Sequence, residues 1–184
     1  NLFNGIFSFV ISYQGKLFVA RDQLGVKPLF YYQKNDLFIF SSEIKCILMY
    51  LQQCVVDKTG IKELLGLGPS VSPGRTIYKD IYSLRPAHYM NVYNGFKEIN
   101  RYWALERYNH NRNYETVYDI RCLVNHSIQQ QLLSDVPVSC MLSGGLDSSI
   151  ITGVASQYIS KLSTYSVDYQ DQEKYFQPYE YQTT

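Results

Sequence analysis

A short apolar segment that runs into glycine and then into a helical pattern constrains the fold of this chain most. VPVSCML (136–142) is typical of a strand buried on both faces of a parallel sheet. SGG (143–145) follows directly, and apolar residues then recur at helical spacing from Ile151 to Tyr158. The next strand is predicted in LSTYSVDY (162–169). Strand, glycine turn, helix and strand in this order predict a βαβ unit.

The residues at this turn indicate what the unit binds. Glycine leaves room for backbone N–H groups to approach an anion, and a helix start carries the positive end of the helix dipole. The hydroxyls of Ser143, Ser148 and Ser149 add hydrogen-bond donors. A carboxylate at Asp147 repels phosphate unless it holds a Mg²⁺ ion that bridges to the phosphates. These residues predict a phosphate-binding loop.

The turn differs from a Walker A loop, which is longer and ends in Lys followed by Ser or Thr. Since the Walker lysine serves chemistry at the γ-phosphate, its absence favours a site that holds pyrophosphate as a leaving group. A bare SGG is most often an ordinary turn, with Asp147 as a residue of the helix start. The strand before it and the helix after it favour the phosphate site.

The first hundred residues carry a different pattern. β-branched and aromatic residues predict four short strands within residues 5–42. Helices are predicted in SEIKCILMYL (42–51), with Ser42 as N-cap, and in TGIKELLGLG (59–68), begun by Thr59 and ended by glycine. Asn94-Gly95 predicts the turn of a β-hairpin. This order predicts antiparallel β-layers with helices.

A polar stretch, RYNHNRN (107–113), lacks periodicity and predicts a domain linker. We therefore place a boundary between residues 1–108 and residues 109–184. After it, Val117, Ile120, Val124 and Ile128 share one face of a predicted amphipathic helix. The predicted fold class is α+β, with antiparallel β-layers, followed by α/β.

Composition excludes several classes of partner. The 184 residues carry 17 basic and 16 acidic side chains, for a net charge of +1, which argues against a nucleic-acid partner. No apolar run reaches the roughly 18 residues that span a bilayer. No secretory signal is visible, so we expect a cytoplasmic location, and no Met begins the chain, so we expect residues upstream. The four scattered cysteines predict free thiols.

SGGLDSS (143–149) matches the S-G-G-x-D-S signature of PP-loop ATP pyrophosphatases, which adenylate a substrate and release pyrophosphate. In the first half, GIFSFVIS (5–12), RDQLGVKPLFYY (21–32) and SSEIKCIL (41–48) resemble the class II glutamine amidotransferase domain of asparagine synthetases. LRPAHYM (84–90) resembles the segment that joins it to the synthetase domain. The chain is similar to that family over nearly its whole length.

The resemblance implies a fold and a reaction. Residues 1–108 would be the C-terminal part of an Ntn-type amidotransferase domain with its connecting segment, and residues 109–184 the start of a parallel-sheet PP-loop domain. The family makes asparagine from aspartate, ATP and glutamine through β-aspartyl-AMP, releasing AMP and pyrophosphate. It often forms homodimers.

The resemblance also implies a set of ATP-binding residues, with Mg²⁺ held by Asp147. The set is Met141, Ser143, Gly144, Gly145, Asp147, Ser148, Ser149 and Val167. Within it, Met141 would contact the nucleotide and the backbone of Val167 would read the adenine. The family's N-terminal cysteine nucleophile would lie upstream of Asn1, and its aspartate-binding residues beyond Thr184. We therefore expect no catalytic residue here, and an internal piece that is inactive alone.

Two other functions stay open at this level. One is a related synthetase with another carboxylate substrate, such as a β-lactam-forming relative. The other is a PP-loop protein that modifies tRNA, which would favour a basic surface. Arg21 and Asp22 are more simply explained as an ion pair or turn than as residues of a domain interface or ammonia route.

Overall fold

The computed structural model describes residues 3, 5–35, 37–68, 72–105 and 116–168. The chain divides into two compact units, Asn1–Tyr108 and Asn109–Thr184. The linker predicted at 107–113 lies outside the described residues. Within the described ranges, the helices are too short or too polar to cross a membrane.

Unit 1 contains two antiparallel sheets, as the sequence predicts. The strands are β1 (Ser8–Tyr13), β2 (Lys16–Arg21), β3 (Phe30–Lys34), β4 (Leu37–Ser41), β5 (Ile81–Ser83), β6 (His88–Tyr93) and β7 (Phe96–Arg101). The first sheet has the strand order β1-β2-β6-β7 and the second β4-β3-β5. The helices are α1 (Ile44–Leu51) and α2 (Lys58–Leu67).

The hairpin of β6 and β7 confirms the turn prediction. Tyr93 pairs with Phe96 across the turn. Asn94 and Gly95 between them have φ values of 48° and 75°. Positive φ at both central residues matches the right-handed twist of the strands, and Asn-Gly tolerates it best.

Alternation along β3 separates two hydrophobic clusters. Tyr31 packs with Val19 and Met90 between the two sheets. The next residue, Tyr32, points to the opposite face and packs with Ile81 and with Ile47 of α1. Because successive side chains of a strand point to opposite faces, the β4-β3-β5 sheet lies between the other sheet and α1.

The helix starts differ from the predicted caps. Glu43, not Ser42, is the N-cap of α1, and it makes no side-chain capping bond. Asp57, not Thr59, caps α2, because its carboxylate accepts the amides of Thr59 and Gly60 at 2.7 and 3.2 Å. The glycine that ends α2 is Gly68, as predicted.

Unit 2 contains the predicted βαβ arrangement. Its described elements are α3 (Thr116–Gln131), β8 (Ser139–Met141), α4 (Leu146–Ala155) and β9 (Ser163–Tyr165). β8 and β9 pair in parallel, with α4 between them in sequence.

The prediction that β8 is buried on both faces is wrong for the described structure. Cys140 is buried, whereas Ser139 and Met141 on either side of it are exposed. The buried side chains of α4, Val154 and Ala155, lie near its end. An apolar run shows that a strand can be buried but not what covers it.

All four cysteines are free, as predicted.

The turn after β2 is closed by the side chain of Asp22. This carboxylate is only 2% exposed. It accepts the amides of Leu24, Val26 and Lys27 at 3.2, 2.9 and 3.0 Å. The backbone carbonyl of Asp22 accepts a hydrogen bond from the amide of Ala87 at 2.9 Å. The buried carboxylate thus replaces water with backbone donors.

Arg21 completes this arrangement from the other side of the turn. Its guanidinium donates to the carbonyls of Gly25 and Leu84, each at 2.6 Å, and of Lys27 at 2.8 Å. Gly25 has φ +69°, and a Cβ there would lie 2.7 Å from Pro86. Arg21 and Asp22 therefore stabilise a turn of unit 1, which agrees with the predicted role in an ion pair or turn.

Asp22→Asn should lower the free energy of unfolding by about 2 kcal/mol, because hydrogen bonds to a charged acceptor contribute roughly 1.5–3 kcal/mol. Burial raises the pKa of Asp22, but the amides of Lys27 and Val26 and their neighbours lower it below its ordinary value. The carboxylate therefore stabilises the fold above about pH 4, and this contribution is lost as pH falls through the folded pKa. Urea unfolding at a series of pH values measures both effects.

Glu98→Gln is the matched control, because Glu98 is an exposed residue of β7 and the change removes the same charge. It should leave stability near that of the wild type. Equal acid sensitivity of Asp22→Asn and wild type would show that the Asp22 carboxylate does not stabilise the turn.

Candidate functional site

The predicted site residues lie at the carboxyl ends of two neighbouring strands. Met141 is the last residue of β8 and pairs with Tyr165, the last residue of β9. Val167 follows β9 by two residues. Met141 and Val167 are 63% and 72% exposed. Since parallel strands end at the same edge of a sheet, both residues and the glycine turn lie at one edge, where open α/β sheets bind ligands.

Gly144 gives the turn its shape. Its φ is +81°, in the region that residues with a Cβ adopt at a cost. A Cβ built on Gly144 meets nothing within 4 Å, so the backbone conformation and not lack of space requires glycine. The same observation shows that the space beside the turn is open. Gly145, in contrast, is extended and forms the N-cap of α4.

The Ser148 hydroxyl lies at the centre of the turn. It donates to the carbonyl of Gly145 at 3.0 Å and accepts the amide of Ser143 at 3.3 Å. It also lies 3.1 Å from the Ser143 hydroxyl. Ser149 donates to the same Gly145 carbonyl at 2.9 Å. The hydroxyls predicted as donors to a phosphate thus hold the turn together in this structure, and they would have to rotate to reach a ligand.

The start of α4 supplies donors of another kind. No side chain caps the helix at Gly145. The amides of Leu146 and Asp147 have no carbonyl one turn earlier within the helix. Asp147 lies in the first turn and is exposed. This end can accept an anion through backbone N–H groups and the helix dipole.

Asp147 alone can hold a metal ion only in a site where the ligand's phosphates supply further metal ligands. Among the described residues, no three His, Cys, Asp or Glu side chains are grouped as metal ligands. Mg²⁺ is commonly bound through one or two carboxylates together with substrate phosphates. A single exposed carboxylate therefore suits a Mg²⁺ ion that arrives with a phosphate ligand, not a resident ion in a protein cage.

Ser166 is a residue of this site that sequence reasoning missed. Its hydroxyl donates to the carbonyl of Leu142, immediately before the turn, at 2.6 Å. The amide of Leu142 donates to the carbonyl of Tyr165 at 2.8 Å. No sequence signal identifies this contact, because it depends on the register between β8 and β9.

Two family models match the chain. Residues 1–103 match the glutamine amidotransferase domain. Residues 119–182 match asparagine synthase. Both matches follow the order in which the sequence resemblance places them.

Curated relatives show the same pairing. The chain is 45% identical over 183 residues to glutamine-hydrolyzing asparagine synthetase 3 of Bacillus subtilis, covering 95% of the chain and 30% of that protein. It is 34% identical to the putative glutamine-hydrolyzing asparagine synthetase 2 of Methanocaldococcus jannaschii, covering 91% of the chain and 34% of that protein. The chain thus spans about a third of the length of these relatives.

Among solved structures, glutamine phosphoribosylpyrophosphate amidotransferase from B. subtilis, complexed with ADP and GMP, aligns with 97% of this chain and 36% of its own. The TM-score is 0.37 and the sequence identity 13%.

The family follows from the extent of these matches. The amidotransferase model covers more than half of the residues, and the asparagine synthase model begins 16 residues after it ends. The resemblance to asparagine synthetases is thereby confirmed. The chain belongs to the glutamine amidotransferase domain family, and its second unit matches the asparagine synthase family.

Proposed function

We propose that this chain is part of a glutamine-dependent asparagine synthetase. The reaction joins ammonia from glutamine to aspartate, driven by ATP, through β-aspartyl-AMP, and releases AMP and pyrophosphate. The observation that carries this proposal is the 45% identity to asparagine synthetase 3 of B. subtilis, which extends over both units in the same order.

Each unit has a distinct part in this proposal. Unit 1 with its connecting segment, residues 1–108, belongs to the C-terminal part of an Ntn-type amidotransferase domain. Unit 2, residues 109–184, begins a parallel-sheet PP-loop domain. The parallel pairing of β8 and β9 around α4 supports the second assignment.

The glycine turn would bind the pyrophosphate portion of ATP. Amides of Ser143, Gly144 and Gly145, with those that begin α4, are donors fixed by the fold. Fixed donors stabilise the charge that grows on a departing pyrophosphate without having to reorganise. The Ser148 and Ser149 hydroxyls add contacts once they turn from Gly145. The β-carboxylate of aspartate attacks the α-phosphorus in this scheme.

The remaining site residues bind the rest of the nucleotide. Met141 and Val167, both exposed at the strand ends, contact the nucleoside, and the Val167 backbone reads the adenine. Asp147 would hold Mg²⁺, which would neutralise charge on the phosphates. Aspartate and glutamine are the small-molecule substrates, and a cytoplasmic homodimer is the proposed state.

Product analysis tests this function. The full-length protein that contains this chain, incubated with glutamine, aspartate and Mg·ATP, should form asparagine, AMP and pyrophosphate in equal amounts. ADP and phosphate as products would contradict the proposal. Turnover of another carboxylate in place of aspartate would favour the related synthetase, and salt-sensitive binding of tRNA would favour the tRNA-modifying protein.

Asp147→Ala should reduce AMP formation about 100-fold, the scale of losing one charge-stabilising group. Glutamine hydrolysis should stay near the wild-type rate, because Asp147 belongs to the nucleotide site alone. Separate assays of AMP and glutamate formation measure the two rates. Asp135→Asn, at an exposed carboxylate before β8, is the control and should match the wild type. Equal loss of both activities in Asp147→Ala would contradict the assignment.

Gly144→Ala should raise the KM for ATP about tenfold, because alanine in the left-handed region costs roughly 1–2 kcal/mol. Gly153→Ala is the matched control: Gly153 lies within α4, and an added Cβ there also meets nothing within 4 Å. The control should keep the KM and melt at a slightly higher temperature, since alanine favours a helix. An unchanged KM in Gly144→Ala would show that the turn conformation does not matter for ATP.

A further inference from the structure

Ser166, the first residue after β9, bonds the carbonyl of Leu142 immediately before the glycine turn. We propose that Ser166 is a positioning residue that fixes the peptide group between Leu142 and Ser143, the first peptide group of the pyrophosphate-binding turn. The inference rests on the proposed function, since it assigns Ser166 a role toward the pyrophosphate portion of ATP.

The argument begins with the rigidity of the peptide group. The carbonyl of Leu142 and the amide of Ser143 belong to one planar unit and point in opposite directions. The Ser166 hydroxyl holds the carbonyl at 2.6 Å. The Ser143 amide must therefore point away from Ser166, toward the turn, where it meets the Ser148 hydroxyl at 3.3 Å.

The hydrogen bond from Ser166 to the Leu142 carbonyl follows directly after the last backbone hydrogen bond between the two strand ends. The preceding peptide group is fixed by the β-ladder, because the Leu142 amide donates to the Tyr165 carbonyl at 2.8 Å. The serine side chain extends this hold by one peptide group. Beyond it, Gly144 brings the freedom of a residue without a Cβ.

A ligand gains from this arrangement. The Ser143 amide makes only a long 3.3 Å bond to Ser148, and a phosphate oxygen is a stronger, charged acceptor. With the carbonyl held by Ser166, the amide faces the ligand before binding, so less conformational freedom is lost on binding. Without the hydroxyl, the peptide group can rotate and the donor is no longer fixed.

A role in fold stability alone would give different measurements. Ser166 is exposed, and loss of a single hydrogen bond lowers the folding equilibrium constant only several-fold. Loss of stability lowers the active fraction, and hence kcat, without changing the KM for ATP or the affinity for pyrophosphate. Loss of positioning raises the KM for ATP and the dissociation constant for pyrophosphate.

The test compares Ser166→Ala, Ser166→Thr and wild type, each as the full-length protein that contains this chain. Binding of inorganic pyrophosphate with Mg²⁺ is measured by calorimetry, and the KM for ATP from AMP formation. Ser166→Ala should weaken pyrophosphate binding and raise the KM each about tenfold, while glutamine hydrolysis is unchanged. Threonine keeps the hydroxyl and suits an extended segment, so Ser166→Thr should stay within about twofold of wild type.

Ser163→Ala is the matched control, because Ser163 is an exposed serine at the start of β9, three residues before Ser166. It should behave as wild type. Wild-type pyrophosphate affinity in Ser166→Ala would overturn the inference, as would a fall in kcat alone with a lower melting temperature. Wild-type protein that forms no AMP but binds pyrophosphate would overturn the proposed function and leave the calorimetric test of Ser166 intact. Wild-type protein that fails to bind pyrophosphate would overturn both.

Discussion

The parallel pairing of β8 with β9 is the constraint on which the candidate site depends. Two parallel neighbours need a crossover, and α4 provides it. The chain must then leave β8 and enter a helix within the residues 142–145. That short distance brings a strand end, a positive φ at Gly144 and an uncapped helix start together. The proposed anion site at this edge therefore depends first on the topology, and the serine hydroxyls add to it.

In unit 1, the connection between β2 and β3 leads from one sheet to the other and must be ordered. Asp22 orders this turn with a carboxylate that is almost fully buried and bonded to backbone amides. Arg21 bonds the carbonyls of the same turn. The Asp22 carboxylate bonds backbone amides, and the Arg21 guanidinium bonds mainly backbone carbonyls. The partners of both charges in the turn are therefore main-chain groups, which do not depend on the side chains of the turn residues.

Local chemistry made much of this structure predictable. The Asn94-Gly95 hairpin and the strand–turn–helix at Ser143 follow from turn residues and periodicity within a few positions. Features that depend on distant partners were missed. The exposure of β8 depends on what covers it, and the Ser166 contact depends on strand register. The cap of α2 was also missed, although it is a local feature: Asp57 lies two residues before the predicted helix start.

The turn held by Arg21 also has a consequence for the order of folding. The arginine bonds Ser83 and Leu84, 62 and 63 positions further along the chain, and its carbonyl accepts the Tyr102 hydroxyl, 81 positions away. Such partners meet only after long loops have closed, at an entropic cost. We therefore expect this segment to reach its final form late, after β5 and β6 have joined their sheets, although its own residues are close neighbours in sequence.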